Sequence, residues 1–163
     1  MDRLYITLGL LNAWSIVNKT ALIHDAIEEI NLDLFALVET FVYADSPDVH
    51  KFDCAPEGFS VLHQHREGAG RGGRIALVHK NNIETKHLDV GVFIHCEILA
   101  VRVGSAGNCF NLVIIYRPPS SSIPGFIDEL DNLLGSGVPG NSFVVCGDLN
   151  CPGHKRCCTL RAA

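Results

Sequence analysis

The sequence predicts an α/β fold, and three observations carry that prediction. The apolar residues switch repeatedly between a two-residue period and a three-to-four-residue period. A strand–helix–strand series runs from Leu4 to Val38 at the spacing of an α/β layer. Four apolar runs each stop at a single chemically capable side chain, as strands do when they deliver groups to a site. With 163 residues, 47% of them hydrophobic, the chain suits one domain with a sizeable core. A mean hydropathy of +0.21 argues against disorder.

The elements follow in order. Leu4 to Leu11 is a short apolar run that reads as a buried strand. Asn18 and Thr20 are candidate caps for a helix from about Ala21 to Ile30, in which Leu22, Ile23, Ala26, Ile27 and Ile30 share one face. Leu34 to Val38, LFALV, is the next buried strand. Ala44 to Glu57 is polar and holds two prolines, so it reads as loop. Phe59 to Leu62 and Ile75 to His79 are strands, separated by the turn-like REGAGRGGR from Arg66 to Arg74. Glu97 to Val103 and Phe110 to Tyr116 form a hairpin across the Gly104–Asn108 segment, and Pro118 and Pro119 end it. Phe126 to Leu134 is an amphipathic helix entered through Ser122 and Pro124. Phe143 to Cys146 is the last strand. No linker divides the chain, and no internal repeat is visible.

The strand ends carry the chemistry. LGLL stops at Asn12, and LFALV stops at Glu39. LVII stops at Tyr116, followed by Arg117; FVVCG stops at Asp148, with Asn150 two residues on. Ligands of open α/β sheets gather outside the carboxyl ends of strands. Glu39 and Asp148 are hard carboxylate donors, and Asn12 and Asn150 add neutral carbonyl oxygens, a set suited to Mg²⁺ or Mn²⁺ rather than zinc. Such a cation acts as a Lewis acid on a phosphoryl oxygen. Tyr116 can donate a hydrogen bond to developing negative charge, and Arg117 can pair with a phosphate. If the chain stays extended, Asp148 and Asn150 point to the same side. The bland alternative for each is a turn former, a solvated carboxylate or the edge of a core.

In the order LLNAWS, LFALVET, GRGGRIALV, VIIYRPPSSS and FVVCGDLNCPG, these stretches resemble the exonuclease–endonuclease–phosphatase superfamily. More narrowly, they are similar to the apurinic-type endonuclease domain of LINE-type (non-long-terminal-repeat) retrotransposons. The resemblance runs from about Leu4 to Gly153. It implies a DNase I-like sandwich of two mixed sheets with outer helices, and divalent-metal-dependent hydrolysis of phosphodiesters in DNA. It also implies Glu39 as principal metal ligand with Asn12 beside the metal, and Tyr116 on the scissile phosphate. Asp148 would orient or activate the attacking water, and Asn150 would help to hold the phosphate. DNA is the implied partner and an intracellular, nuclear setting the implied location. Neither a small-molecule cofactor nor a membrane is expected, and oligomeric state is left open.

The chain departs from the family in Trp14, where Arg is usual, and in Arg74, where a third glycine is usual. The family continues past the GDLN motif to a closing Ser-Asp-His, and no such triplet occurs in this sequence. The expectation is therefore a partial domain over residues 1–153 with an unrelated tail over 154–163, a sheet lacking its last strands, and catalysis lost or cut by orders of magnitude. Two further functional readings compete. One is a non-catalytic interaction remnant of the fold. The other is a zinc site in the tail from Cys151, His154, Cys157 and Cys158, whose spacing is tight for a finger. The GRGGR stretch also has the composition of an RNA-binding segment, against the plainer reading of a turn. A net charge of −5 weighs against bulk attraction to nucleic acid but leaves local cations free to grip phosphates. Cys54, Cys96, Cys109 and Cys146 read as small buried hydrophobes.

Overall fold

The computed structural model describes residues 5–64, 75–105, 108–136 and 142–151. The chain forms two compact units, Met1–Asn82 and Ile83–Ala163, with the boundary in a short turn. Each unit holds one four-stranded mixed sheet, so the fold is α/β.

In the first unit, β1 (Leu8–Asn12), α1 (Thr20–Ile30) and β2 (Leu34–Val38) form a parallel crossover. A short helix α2 (Asp48–Phe52) follows, then β3 (Phe59–His63) and β4 (Ile75–Lys80). The sheet order is β1-β2-β4-β3, with β4 antiparallel to both of its neighbours. Leu34, Phe35, Ala36, Leu37 and Val38 are all buried, so β2 is covered on both faces and its unbroken apolar run is explained. Phe35, Leu37, Ala76 and Val78 pack with Ile23, Ile27 and Leu32 into one core.

Several local expectations shift here. β1 starts at Leu8, not Leu4, and it is a sheet edge rather than a buried strand: Leu10 and Leu11 are 43% and 39% exposed. On α1 the buried stripe narrows to Ile23 and Ile27, while Leu22 and Ile30 face outward. Neither Asn18 nor Thr20 caps α1; Lys19 is the N-cap residue, and its side chain makes no capping bond to the helix. The helix ends at Asn31 in the left-handed region, where the Asn31 and Leu32 amides bond back to Glu28 and Ile27 carbonyls. This closing motif buries Leu32 beside Ile27. The segment read as loop contains α2, because Pro47 and Asp48 start a helical turn there.

The second unit orders β5 (Thr85–Leu88), β6 (Glu97–Val103), β7 (Phe110–Tyr116) and β8 (Phe143–Asp148) as β5-β6-β7-β8. The β6–β7 hairpin forms as expected, and β7 runs parallel to β8 through α3 (Ile123–Ser136). β5 is polar and half-exposed, so its sequence carries no apolar signal. Ser122 caps α3, its Oγ accepting from the Gly125 amide at 3.2 Å. Phe126 and Leu133 of α3 pack on Ile98, Ala100, Val113 and Ile115. Cys54 and Cys96 are buried and Cys146 half-buried, but Cys109 is exposed where the hairpin turns. The REGAGRGGR stretch lies outside the described residues, as do His154, Cys157 and Cys158.

Candidate active site

In each unit the candidate side chains sit where two parallel strands end together. In the first unit Asn12 is in register with Val38, the residue before Glu39. Pairing continues past the strands: the amides of Ala13, Ser15 and Ile16 donate to the carbonyls of Val38, Glu39 and Thr40 at 2.9, 2.7 and 3.1 Å. Asn12 and Glu39 are thereby held side by side on adjacent strand ends.

The backbone there is contorted. Trp14, Ser15, Glu39 and Phe41 all have positive φ, at 42°, 77°, 55° and 52°. Non-glycine residues adopt such angles at a cost, and only where their surroundings impose them. The Asn12 side-chain oxygen accepts from the Trp14 amide at 3.2 Å, stabilising the turn. Lys19 adds a second restraint, its Nζ donating to the carbonyls of Ala13 and Trp14 at 2.5 and 3.0 Å. Sequence reading singled out neither Lys19 nor the buried Thr40, and only their contacts reveal them.

Glu39 is half-buried, and no hydrogen bond or ion pair engages its carboxylate among the described residues. A hard divalent cation with few protein ligands and several waters fits one such carboxylate with a neighbouring amide oxygen. No cluster of three or more His, Cys, Asp or Glu side chains suited to a metal occurs among the described residues.

In the second unit Tyr116 and Asp148 are direct register partners across β7 and β8. Tyr116 is buried and Asp148 half-buried. Gly147 makes this approach possible. It pairs with Ile115, has φ +148°, and a Cβ built on it would lie 1.8 Å from the Ile115 carbonyl oxygen. The glycine of the GDLN motif thus sets how closely Asp148 is carried past β7. Burial pushes the pKa of the Cys146 thiol, two residues before Asp148, up to about 11.

After Asp148 the chain does not stay extended. Asn150 has φ 43°, and its amide donates to Asp148 Oδ1 at 3.1 Å. Its side-chain Nδ2 donates to the Arg117 carbonyl at 2.9 Å. Asp148 and Asn150 are therefore brought together by a tight turn rather than by strand alternation. Arg117 is only 2% exposed and donates to the carbonyls of Leu149, Ser121 and Asn150.

Residues 9–156 match the Endonuclease/Exonuclease/phosphatase family. No curated protein matches the chain. Among solved structures, an AP endonuclease from Archaeoglobus fulgidus superposes with a TM-score of 0.60 at 19% identity, over 88% of this chain and 57% of that one. The endonuclease domain of TRAS1, a telomere-specific non-LTR retrotransposon, gives 0.64 at 14% identity, over 90% and 59%. TDP2 from D. rerio, in complex with a single-strand DNA product, gives 0.62 at 11% identity, over 89% and 60%. The chain thus spans less than two thirds of the length of each.

Proposed function

Because the chain belongs to the endonuclease/exonuclease/phosphatase family, a family of phosphodiester hydrolases and nucleases, we propose that it carries part of a Mg²⁺- or Mn²⁺-dependent DNA endonuclease site of the retrotransposon kind. One observation carries this reading: each parallel strand pair ends in adjacent oxygen-bearing side chains, Asn12 with Glu39 and Tyr116 with Asp148. The open Glu39 carboxylate and the Asn12 carbonyl would hold the cation. When bound, such a cation neutralises charge on a phosphoryl oxygen and on the leaving oxygen.

The chain's own groups take the remaining roles. The Asp148 carboxylate accepts a proton from the attacking water and orients it. The Tyr116 hydroxyl donates to a non-bridging phosphate oxygen. Asn150 offers the second hydrogen of its side-chain Nδ2 to the same phosphate. Asp148 accepts from the Asn150 amide, which fixes the orientation of its carboxylate. Among the described residues no helix is long and apolar enough to cross a membrane, and the nuclear location belongs to the retrotransposon part of the proposal.

The family's closing Ser-Asp-His does not occur in this sequence, and members of a catalytic unit act together. A polypeptide of these 163 residues alone, without that motif, is expected to nick DNA orders of magnitude more slowly than one that also carries it. The test is relaxation of supercoiled plasmid by the purified chain in Mg²⁺, beside Glu39→Ala and Asp148→Asn. The expected result is no nicking above the two variants. Brisk Mg²⁺-dependent nicking that both variants lose would keep the endonuclease reading and refute the need for the closing motif. Nicking that neither variant affects would remove Glu39 and Asp148 from the site.

A further inference from the structure

We infer that Arg117 is a positioning residue: its buried guanidinium fastens the turn after β8 to the end of β7, and so sets where Asp148 and Asn150 present their side chains. This rests on the reading of Asp148 and Asn150 as site residues. It assigns Arg117 a different part from the phosphate pairing that its charge and its place beside Tyr116 suggest.

The contacts form a closed loop. The Arg117 amide donates to the Asp148 carbonyl at 2.9 Å, extending the β7–β8 ladder by one step. Its Nε donates to the Leu149 carbonyl at 2.7 Å, and one terminal nitrogen donates to the Asn150 carbonyl. The other terminal nitrogen reaches the Ser121 carbonyl at 2.5 Å, in the turn that leads into α3. The Arg117 carbonyl in turn accepts from Asn150 Nδ2, and the Asn150 amide returns to Asp148 Oδ1. Backbone and side chain of one residue therefore restrain each of residues 148, 149 and 150.

The chemistry of the side chain fits this role. A guanidinium presents its donors as a rigid planar fork, so three carbonyls around it are fixed relative to one another. A lysine offers a flexible point charge and cannot hold that set. Asn150 sits at φ 43°, a left-handed angle that Asn adopts more readily than most residues, and its bonds with Arg117 and Asp148 hold it there. Leu149 packs into the core formed by α3 and the sheet, which anchors the turn from its other side. Nε and both terminal nitrogens of Arg117 are each engaged by a backbone carbonyl, and the residue is 2% exposed.

The experiment is nuclear magnetic resonance of the ¹⁵N-labelled chain, observing the Arg117 Nε–H and Asn150 signals during titration with inorganic phosphate. Hydrogen exchange of the same groups is then compared in Arg117→Lys. The expected Arg117 Nε–H exchanges slowly with water and does not move as phosphate is added. In Arg117→Lys the Asn150 amide is expected to lose at least tenfold in protection, while Leu99 and Val113 in the sheet keep theirs. A saturable shift of the Arg117 signal with phosphate overturns the proposal in favour of a ligand role. A uniform loss of protection across the sheet also overturns it, because the residue would then serve only general stability. If Arg117→Lys does not fold, the exchange and phosphate titration of the unaltered chain still decide between the two roles. Neither readout needs a bound metal or turnover, so a failure of the endonuclease reading leaves this test intact.

Discussion

Strained residues concentrate beside the proposed ligands. Of the non-glycine residues with positive φ, Trp14, Ser15, Glu39 and Phe41 surround the Asn12–Glu39 pair, and Asn150 follows Asp148. Asn18 and Asn31 flank α1. Asp33 shows the opposite behaviour, a carboxylate whose surroundings stabilise the fold. Burial alone would raise its pKa, but hydrogen bonds from Lys80 at 2.8 Å and the Thr7 amide at 2.8 Å outweigh this and hold it below the ordinary 3.8. A depressed folded-state pKa means that folding favours the ionised form. The contribution is complete above the ordinary carboxylate range and is lost as pH falls through it toward the depressed value. Asp33→Asn should therefore cost about 1 kcal/mol at neutral pH. The cost should shrink toward zero near pH 2, checked by thermal melts at both pH values. A cost independent of pH would contradict this account of Asp33.

At the scale of elements, the two parallel pairs, β1–β2 and β7–β8, do the positioning, and a single glycine makes the second possible. Gly147→Ala would drive a Cβ into the Ile115 carbonyl, so β8 must move away from β7. The expected cost is on the order of 3 kcal/mol. It should appear as a lowered melting temperature, with hydrogen exchange accelerated first in β8. The same elements show what was readable beforehand. β2, β6 and β7 were legible because continuous or alternating apolar runs leave no other assignment. β5 was not, because a half-exposed polar edge strand carries no periodic signal. α2 was masked by prolines that start a helix as readily as they break one. The pairing of Asn12 with Val38, next to Glu39, and of Tyr116 with Asp148 depends on register, and Arg117's burial depends on a turn; neither is written in local spacing.

For the molecule as a whole, two units of about equal size each contribute one sheet and one pair of candidate side chains at parallel strand ends. β1 and β8 are the outer strands on those sides of their sheets, and both carry half-exposed apolar residues, Leu10 and Leu11 in one, Phe143 and Val144 in the other. The central claim is that Glu39 is the anchor of a divalent metal. Electron paramagnetic resonance of Mn²⁺ titrated into the unaltered chain and into Glu39→Gly tests it most directly. Glycine tolerates the φ of 55° at this position, so loss of binding cannot be blamed on backbone strain. The account predicts one Mn²⁺ site in the unaltered chain, absent from Glu39→Gly while its melting temperature is held or raised. Equal Mn²⁺ binding by the two proteins would contradict it.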